Sequence, residues 1–156
     1  MQGEIKLKEM NKDEREVYIH YLLLADDSTE VIKDYMNEGD MFAIFFKEKL
    51  VGTVLFTFLS KETVELKNIA LEKAYRGRGL GKATIEEGLN LYKKKQYQKM
   101  VVGTANSSID NIAFYQKVGF RMDYIKKDFF HQYPNEIYEN GIKAQDMIMF
   151  IKDLTE

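Results

Sequence analysis

The sequence predicts a mixed α/β domain, and three observations lead there. Short apolar runs with strand-like alternation are interspersed with segments of helical spacing, the longest over residues 80–94. A glycine-rich basic turn joins the fourth strand to that helix, an order that suits a parallel crossover to the fifth strand. A chain of 156 residues, 45% of them hydrophobic, sustains one core, so one domain over residues 1–156 is expected.

The elements follow in order. Residues 4–10 alternate, with Ile5 and Leu7 against Lys6 and Lys8, and read as an opening strand with one wet face. Asn11 caps a helix beginning at Lys12, with Glu14 in the reciprocal capping position and Val17, Tyr18, Tyr21 and Leu22 at helical spacing. Residues 26–29 break it. Ser28 or Thr29 starts a short second helix in which Val31, Ile32, Tyr35 and Met36 face one way, ending around Gly39. Residues 41–46 and 50–60 flank the turn at 47–49 as a hairpin, and residues 63–70 extend it to an antiparallel meander. Gly52 fits a bulge, a close backbone approach or no special role.

The helix over 80–94 has Ala83, Thr84, Gly88, Leu89 and Tyr92 for its buried side, and its lysine-rich end suits the helix dipole. Residues 99–105 form a strand, residues 111–118 a helix stopped by Gly119, and residues 120–125 another strand. Residues 128–142 place turn formers between aromatic anchors and read as a long structured excursion, from which residues 144–151 return as the terminal strand.

Composition excludes several function classes. A net charge of -2 argues against a nucleic-acid binder working through a general electrostatic footprint. The absence of cysteine removes disulfides, thiolate nucleophiles and thiolate-held metals, and two histidines support no metal site. No segment has the apolar length of a signal peptide or a membrane span, so a cytoplasmic protein is expected.

The positive charge is local. In YRGRGLGKATI, residues 75–85, Gly77, Gly79 and Gly81 allow a tight turn into a helix whose first N–H groups lack partners, while Arg76, Arg78 and Lys82 add charge. The turn lacks the closing triplet of the P-loop and the spacing of the dinucleotide fingerprint. On local chemistry, a phosphate or pyrophosphate site and a plain glycine-led helix start stand level.

The stretches ELKNIALEKAYRGRGLGKATI (residues 65–85) and VVGTANSSIDNIAFYQKVGF (residues 101–120) decide between them by resemblance. Together they resemble the GCN5-related N-acetyltransferase superfamily, most of the chain following its element order. Arg76, Gly79 and Gly81 carry the first motif; Asn106, Asn111, Phe114, Tyr115, Lys117, Gly119 and Phe120 carry the second. The resemblance implies a central, mostly antiparallel twisted sheet flanked by helices, acetyl-CoA as donor, and a primary amine of a small molecule as acceptor. It implies that the backbone around Arg76, Gly77, Arg78, Gly79, Leu80, Gly81 and Lys82 meets the pyrophosphate, and that Ile69, Ala70 and Leu71 pair with the pantetheine arm.

It further implies Tyr115 as the acid that protonates the leaving thiolate, with core packing as the competing role. Glu65 is the candidate base, against a plain alternation residue on the face shared by Thr63 and Lys67. Asn106 and Asn111 are candidates for hydrogen bonds to the donor, or for loop and cap roles. The excursion also resembles a poorly characterised bacterial subgroup through Asp128, Phe129, Phe130, His131, Tyr133 and residues 139–142. Asp128, His131 and Glu139 are therefore acceptor-side candidates. Ala144 and Gln145 depart from that subgroup's Cys-Arg before Asp146, so the subgroup implies no particular acceptor here. The expected alternative to transfer is a non-catalytic CoA-binding or regulatory module. No nucleic acid or membrane partner is expected, and the assembly is a monomer or homodimer.

Overall fold

The computed structural model describes residues 4–155. Seven strands form one sheet in the order β1 (Ile5–Glu9), β2 (Asp40–Phe46), β3 (Lys49–Phe58), β4 (Thr63–Leu71), β5 (Lys99–Ala105), β9 (Met147–Asp153) and β6 (Arg121–Lys126). Every neighbouring pair is antiparallel except β4 and β5. Helix α3 (Leu80–Lys94) makes the crossover between those two, as the order of elements predicts. One sheet face packs on α3 and α4 (Ile109–Val118), burying Val64, Leu66, Leu80, Ile85 and Tyr92 in the larger core. The other packs on α1 (Ile19–Ala25) and α2 (Thr29–Tyr35) around Leu22, Ile32, Met41 and Leu55.

The first predicted helix is divided. Glu14 accepts the Asn11 N–H at 2.9 Å, as its capping position requires, but residues Lys12–Tyr18 wind as a 3-10 segment before α1 begins. The tighter winding moves Val17 off the apolar side, where it is 72% exposed, while Tyr21 and Leu22 are buried as expected. Arg15 is the unforeseen feature of this segment. It is 2% exposed and donates to the carbonyls of Met36, Glu38 and Gly39 at 3.0, 2.8 and 2.8 Å, tying the 3-10 segment to the end of α2. Burial lowers its pKa, opposed by the charges of Asp40 and Glu9.

In α3, Thr84, Gly88 and Tyr92 are buried as expected and Leu80 and Ile85 join them, while Ala83 and Leu89 are half-buried. Gly52 makes a close approach, since a Cβ there would run into the Ala70 carbonyl oxygen across the β3–β4 ladder. The excursion contains a small hairpin, β7 (Tyr138–Glu139) and β8 (Ile142–Lys143). The terminal strand starts at Met147, later than residue 144, because Asn106 holds the preceding backbone in a loop: its Oδ1 accepts the N–H groups of Gln145 and Asp146 at 2.8 and 3.1 Å.

Candidate active site

A one-residue irregularity in β4 sets up the site. Leu55 pairs with Asn68 and Phe56 with Leu66, so Lys67 is an extra residue bulged out of the β3–β4 ladder. At the same level β4 leaves β5: their pairing runs from Thr63 with Lys99 to Leu66 with Val102 and stops. Beyond it β4 continues to Leu71 on β3, and β5 to Ala105 on β9, so the two strands part. The residues 67–71 of β4 thus keep polar backbone on the side that β5 has left.

A cleft of about 1070 Å³ fills the opening, with Ile69, Ala70 and Leu71 on one side and Gly103, Thr104 and Ala105 on the other. The basic turn forms one end. Gly77 and Gly79 adopt φ of 76° and 80°, which brings α3 in with Gly79 as its N-cap. The N–H groups of Leu80, Gly81 and Lys82 in the first turn have no intrahelical partners and mark this end for an anion. Arg76 is fixed by donating from Nε to the Leu71 carbonyl at 3.0 Å. Arg76, Gly77, Gly79, Gly81 and Lys82 all line the cleft. Arg78 does not, its guanidinium lying 5.2 Å over the Tyr75 ring. Leu80 is 1% exposed with its side chain in the core, so only its backbone serves the turn.

Tyr115 reaches the cleft from α4 although it is 6% exposed. Burial alone pushes its phenol up to about 12, and its hydroxyl has no hydrogen-bond partner among the described residues. Asn111 lies one turn earlier on the same helix and also lines the cleft. A match to the Acetyltransferase (GNAT) family covers residues 6–120 and includes both motifs.

The chain belongs to the GNAT acetyltransferase family. An uncharacterised N-acetyltransferase of Bacillus subtilis (strain 168), YvbK, is 33% identical over 147 residues, which are 94% of this chain and 95% of that protein. A GNAT family acetyltransferase from Elizabethkingia anophelis, solved with acetyl-CoA bound, superposes with a TM-score of 0.89 at 34% identity, covering 96% of this chain and 97% of the other. A Bacillus subtilis acetyltransferase in complex with CoA gives a TM-score of 0.84, also at 34% identity and with 96% and 97% covered. The expected fold and family are therefore correct, and the protein is an acetyl-CoA-dependent acetyltransferase. The parted strands and the helix start of this GNAT chain fit the donor, offering strand-like backbone to its amide arm and free N–H groups to its phosphates. No helix among the described residues is long and apolar enough to cross a membrane.

Several predicted site residues lie elsewhere. Glu65 is 8% exposed on the α1 side of β4, does not line the cleft, and its Oε1 accepts the Thr57 hydroxyl at 3.3 Å. Asn106 spends its amide on backbone, adding a bond from Nδ2 to the Lys143 carbonyl at 3.0 Å to the two it accepts, so it braces the loop before β9. Asp128 and His131 pair with each other at 3.5 Å on the surface, outside the cleft. Their neighbours Phe129, Phe130 and Tyr133 point the other way and line it, as does Glu139.

Glu139 was expected on the acceptor side; the other carboxylates on that wall, Asp26 and Asp27, were not. Asp26, which ends α1, accepts the Tyr35 hydroxyl on Oδ2 at 2.8 Å, and on Oδ1 the Tyr133 hydroxyl at 2.7 Å and the Asp27 N–H at 2.8 Å. Burial and the Asp26 charge raise both phenols far above their ordinary range, so both stay protonated as donors. Asn68 completes the network, giving Nδ2 to the Leu22 carbonyl and the Tyr35 hydroxyl, each at 3.1 Å. One signal in the sequence points here: Asp26-Asp27 at the end of a helix opposes the helix dipole, a local conflict of the kind that marks functional positions.

Proposed function

We propose that this single domain transfers an acetyl group from acetyl-CoA to a primary amine of a small molecule, by direct attack within a ternary complex. The parting of β4 from β5 beside the start of α3 is the observation that carries the reading. It offers the strand backbone of Ile69, Ala70 and Leu71, beyond the last β5 pair, and helix N–H groups at Gly81 and Lys82 along one continuous cleft. Asn111 adds a side-chain hydrogen bond from α4.

The chemistry follows from what the walls provide. The amine nitrogen forms a bond to the thioester carbon as the carbon–sulfur bond breaks, and backbone N–H groups of β4 support the charge on oxygen. Tyr115 gives its proton to the departing thiolate; burial keeps the phenol protonated throughout the working pH range, so the proton is in place when the carbon–sulfur bond breaks. The proton lost by the amine passes to the Asp26 carboxylate through the Tyr35 or Tyr133 hydroxyl, each bonded to it. Asp26 takes the base role expected of Glu65, which is held away from the cleft by Thr57.

Release of free thiol from acetyl-CoA with a panel of primary amines tests the reading. Transfer to at least one small amine, lost in Tyr115→Phe, supports it. CoA binding without amine-dependent thiol release with any amine sinks it in favour of a binding module.

A further inference from the structure

Transfer as proposed above leaves one wall of the cleft unassigned. Asp26 is committed to the two tyrosines, but Asp27 and Glu139, which line the same cleft, are not. Glu139 accepts the Ser107 and Ser108 hydroxyls at 3.1 and 2.6 Å through Oε1 alone. Neither carboxylate forms an ion pair with a cation among the described residues. The two are close enough that Glu139, after desolvation and Asp26, raises the Asp27 pKa. Lys67 lines the cleft but sits 5.0 Å over the Tyr35 ring.

An independent feature stands in the same cleft. Asn68 is 5% exposed, and with Nδ2 committed to Leu22 and Tyr35 its Oδ1 has no partner. A buried amide oxygen left without a donor calls for one from a ligand. The two features suit different nitrogens. An amine must be neutral to attack, and carboxylates around it would hold its proton on. A neutral oxygen such as Asn68 Oδ1 can take an N–H of the attacking nitrogen without that penalty. The unpaired carboxylates suit a positive centre that stays charged.

We propose that the acceptor is a diamine: one amino group reacts beside Asn68, and Asp27 with Glu139 hold the other as an ammonium. The inference rests on the acetyl-transfer reading. The aromatic rings of Phe129, Phe130 and Tyr133 line the cleft and offer an apolar surface for the methylene chain.

Steady-state kinetics with putrescine and with n-butylamine, of equal carbon chain but one ammonium fewer, test it. Calorimetry of both amines on CoA-loaded protein registers the subsite whether or not transfer occurs. Putrescine is expected to be preferred at least tenfold in kcat/KM. Asp27→Asn and Glu139→Gln should each raise its KM roughly five- to tenfold, collapsing the ratio toward one, as expected for loss of one partly exposed charge partner. Equal use of the two amines, or a preference that survives both substitutions, overturns the diamine. Putrescine heat that Asp27→Asn abolishes, in protein that transfers to neither amine, would keep the subsite and sink the transfer reading. No putrescine heat at all would overturn the subsite itself.

Discussion

Replacing Tyr115 by Phe separates chemistry from packing, because it removes one hydroxyl and leaves the ring among Phe114, Phe120 and Phe150. Burial at 6% exposure moves the phenol from an ordinary pKa of 10.0 to about 12. At about 1.4 kcal/mol per unit, that difference is worth about 3 kcal/mol. The unfolded chain releases this proton first as pH rises, so the contribution is whole below the unfolded value of 10.0 and is lost as pH climbs through about 12. Phe has nothing to ionise. Urea unfolding of both proteins should therefore give a free-energy difference that is flat near neutrality and moves against the wild type by about 3 kcal/mol at the alkaline end. Near neutrality the variant should be as stable as the wild type or slightly more so, since no hydrogen bond is lost with the hydroxyl. Its kcat should nevertheless fall by roughly 100- to 10,000-fold with KM for acetyl-CoA nearly unmoved. An unchanged kcat refutes the acid role. Destabilisation beyond about 1 kcal/mol near neutrality would show that the hydroxyl has a structural partner, and would refute the rest of the reasoning.

Gly52→Ala sets a methyl against the Ala70 carbonyl and pushes β4 away from β3, so thermal unfolding should show a loss of about 1–3 kcal/mol, with a raised KM for acetyl-CoA because the displaced strand carries Ile69, Ala70 and Leu71. Asp26→Asn weakens the charge-assisted bonds from Tyr35 and Tyr133, and kcat/KM for the amine should drop at least tenfold while acetyl-CoA binding, measured by calorimetry, holds. Arg15→Met leaves three carbonyls without their donor and should lower unfolding free energy by about 2–3 kcal/mol, with acetyl-CoA binding retained in the folded fraction.

What was legible in the sequence follows the range over which each constraint acts. The turn into α3 and the stop at Gly119 depend on positive φ at Gly77, Gly79 and Gly119, a demand that a local residue pattern states openly. The meander was legible from alternation, and the anion-binding end of the cleft from glycines and the helix that follows. Of the three places where the ladders among the described residues slip register, the one at Lys67 is where the proposed acceptor side lies. Strict alternation puts Asn68 with Val64 and Leu66, but the extra residue Lys67 reverses the parity, so that Asn68 shares a face with Glu65 and turns toward α1 and α2. The rest of that wall comes from distant partners. Asp26 and Tyr133 are 107 residues apart in sequence, and no periodicity relates them.

The bulge at Lys67 therefore connects the two halves of the site. It coincides with the point where β5 lets go of β4, which frees backbone for the donor, and it redirects Asn68 into the Tyr35–Asp26–Tyr133 network, the proposed acceptor wall. A net charge of -2 conceals the same division. Arg76 and Lys82 lie at one end of the cleft, while Asp26, Asp27 and Glu139 outnumber the one cation among the described residues, Lys67 over Tyr35, on its proposed acceptor side. Such a separation favours an anionic donor and a cationic acceptor over the reverse, because each would meet like charge at the other's end. The donor end is built from backbone and helix dipole, which any sequence with the right glycines can supply. The proposed acceptor end is built from side chains brought together by α1, β4 and the excursion, so on this proposal substrate choice is set there and can change without disturbing the donor site.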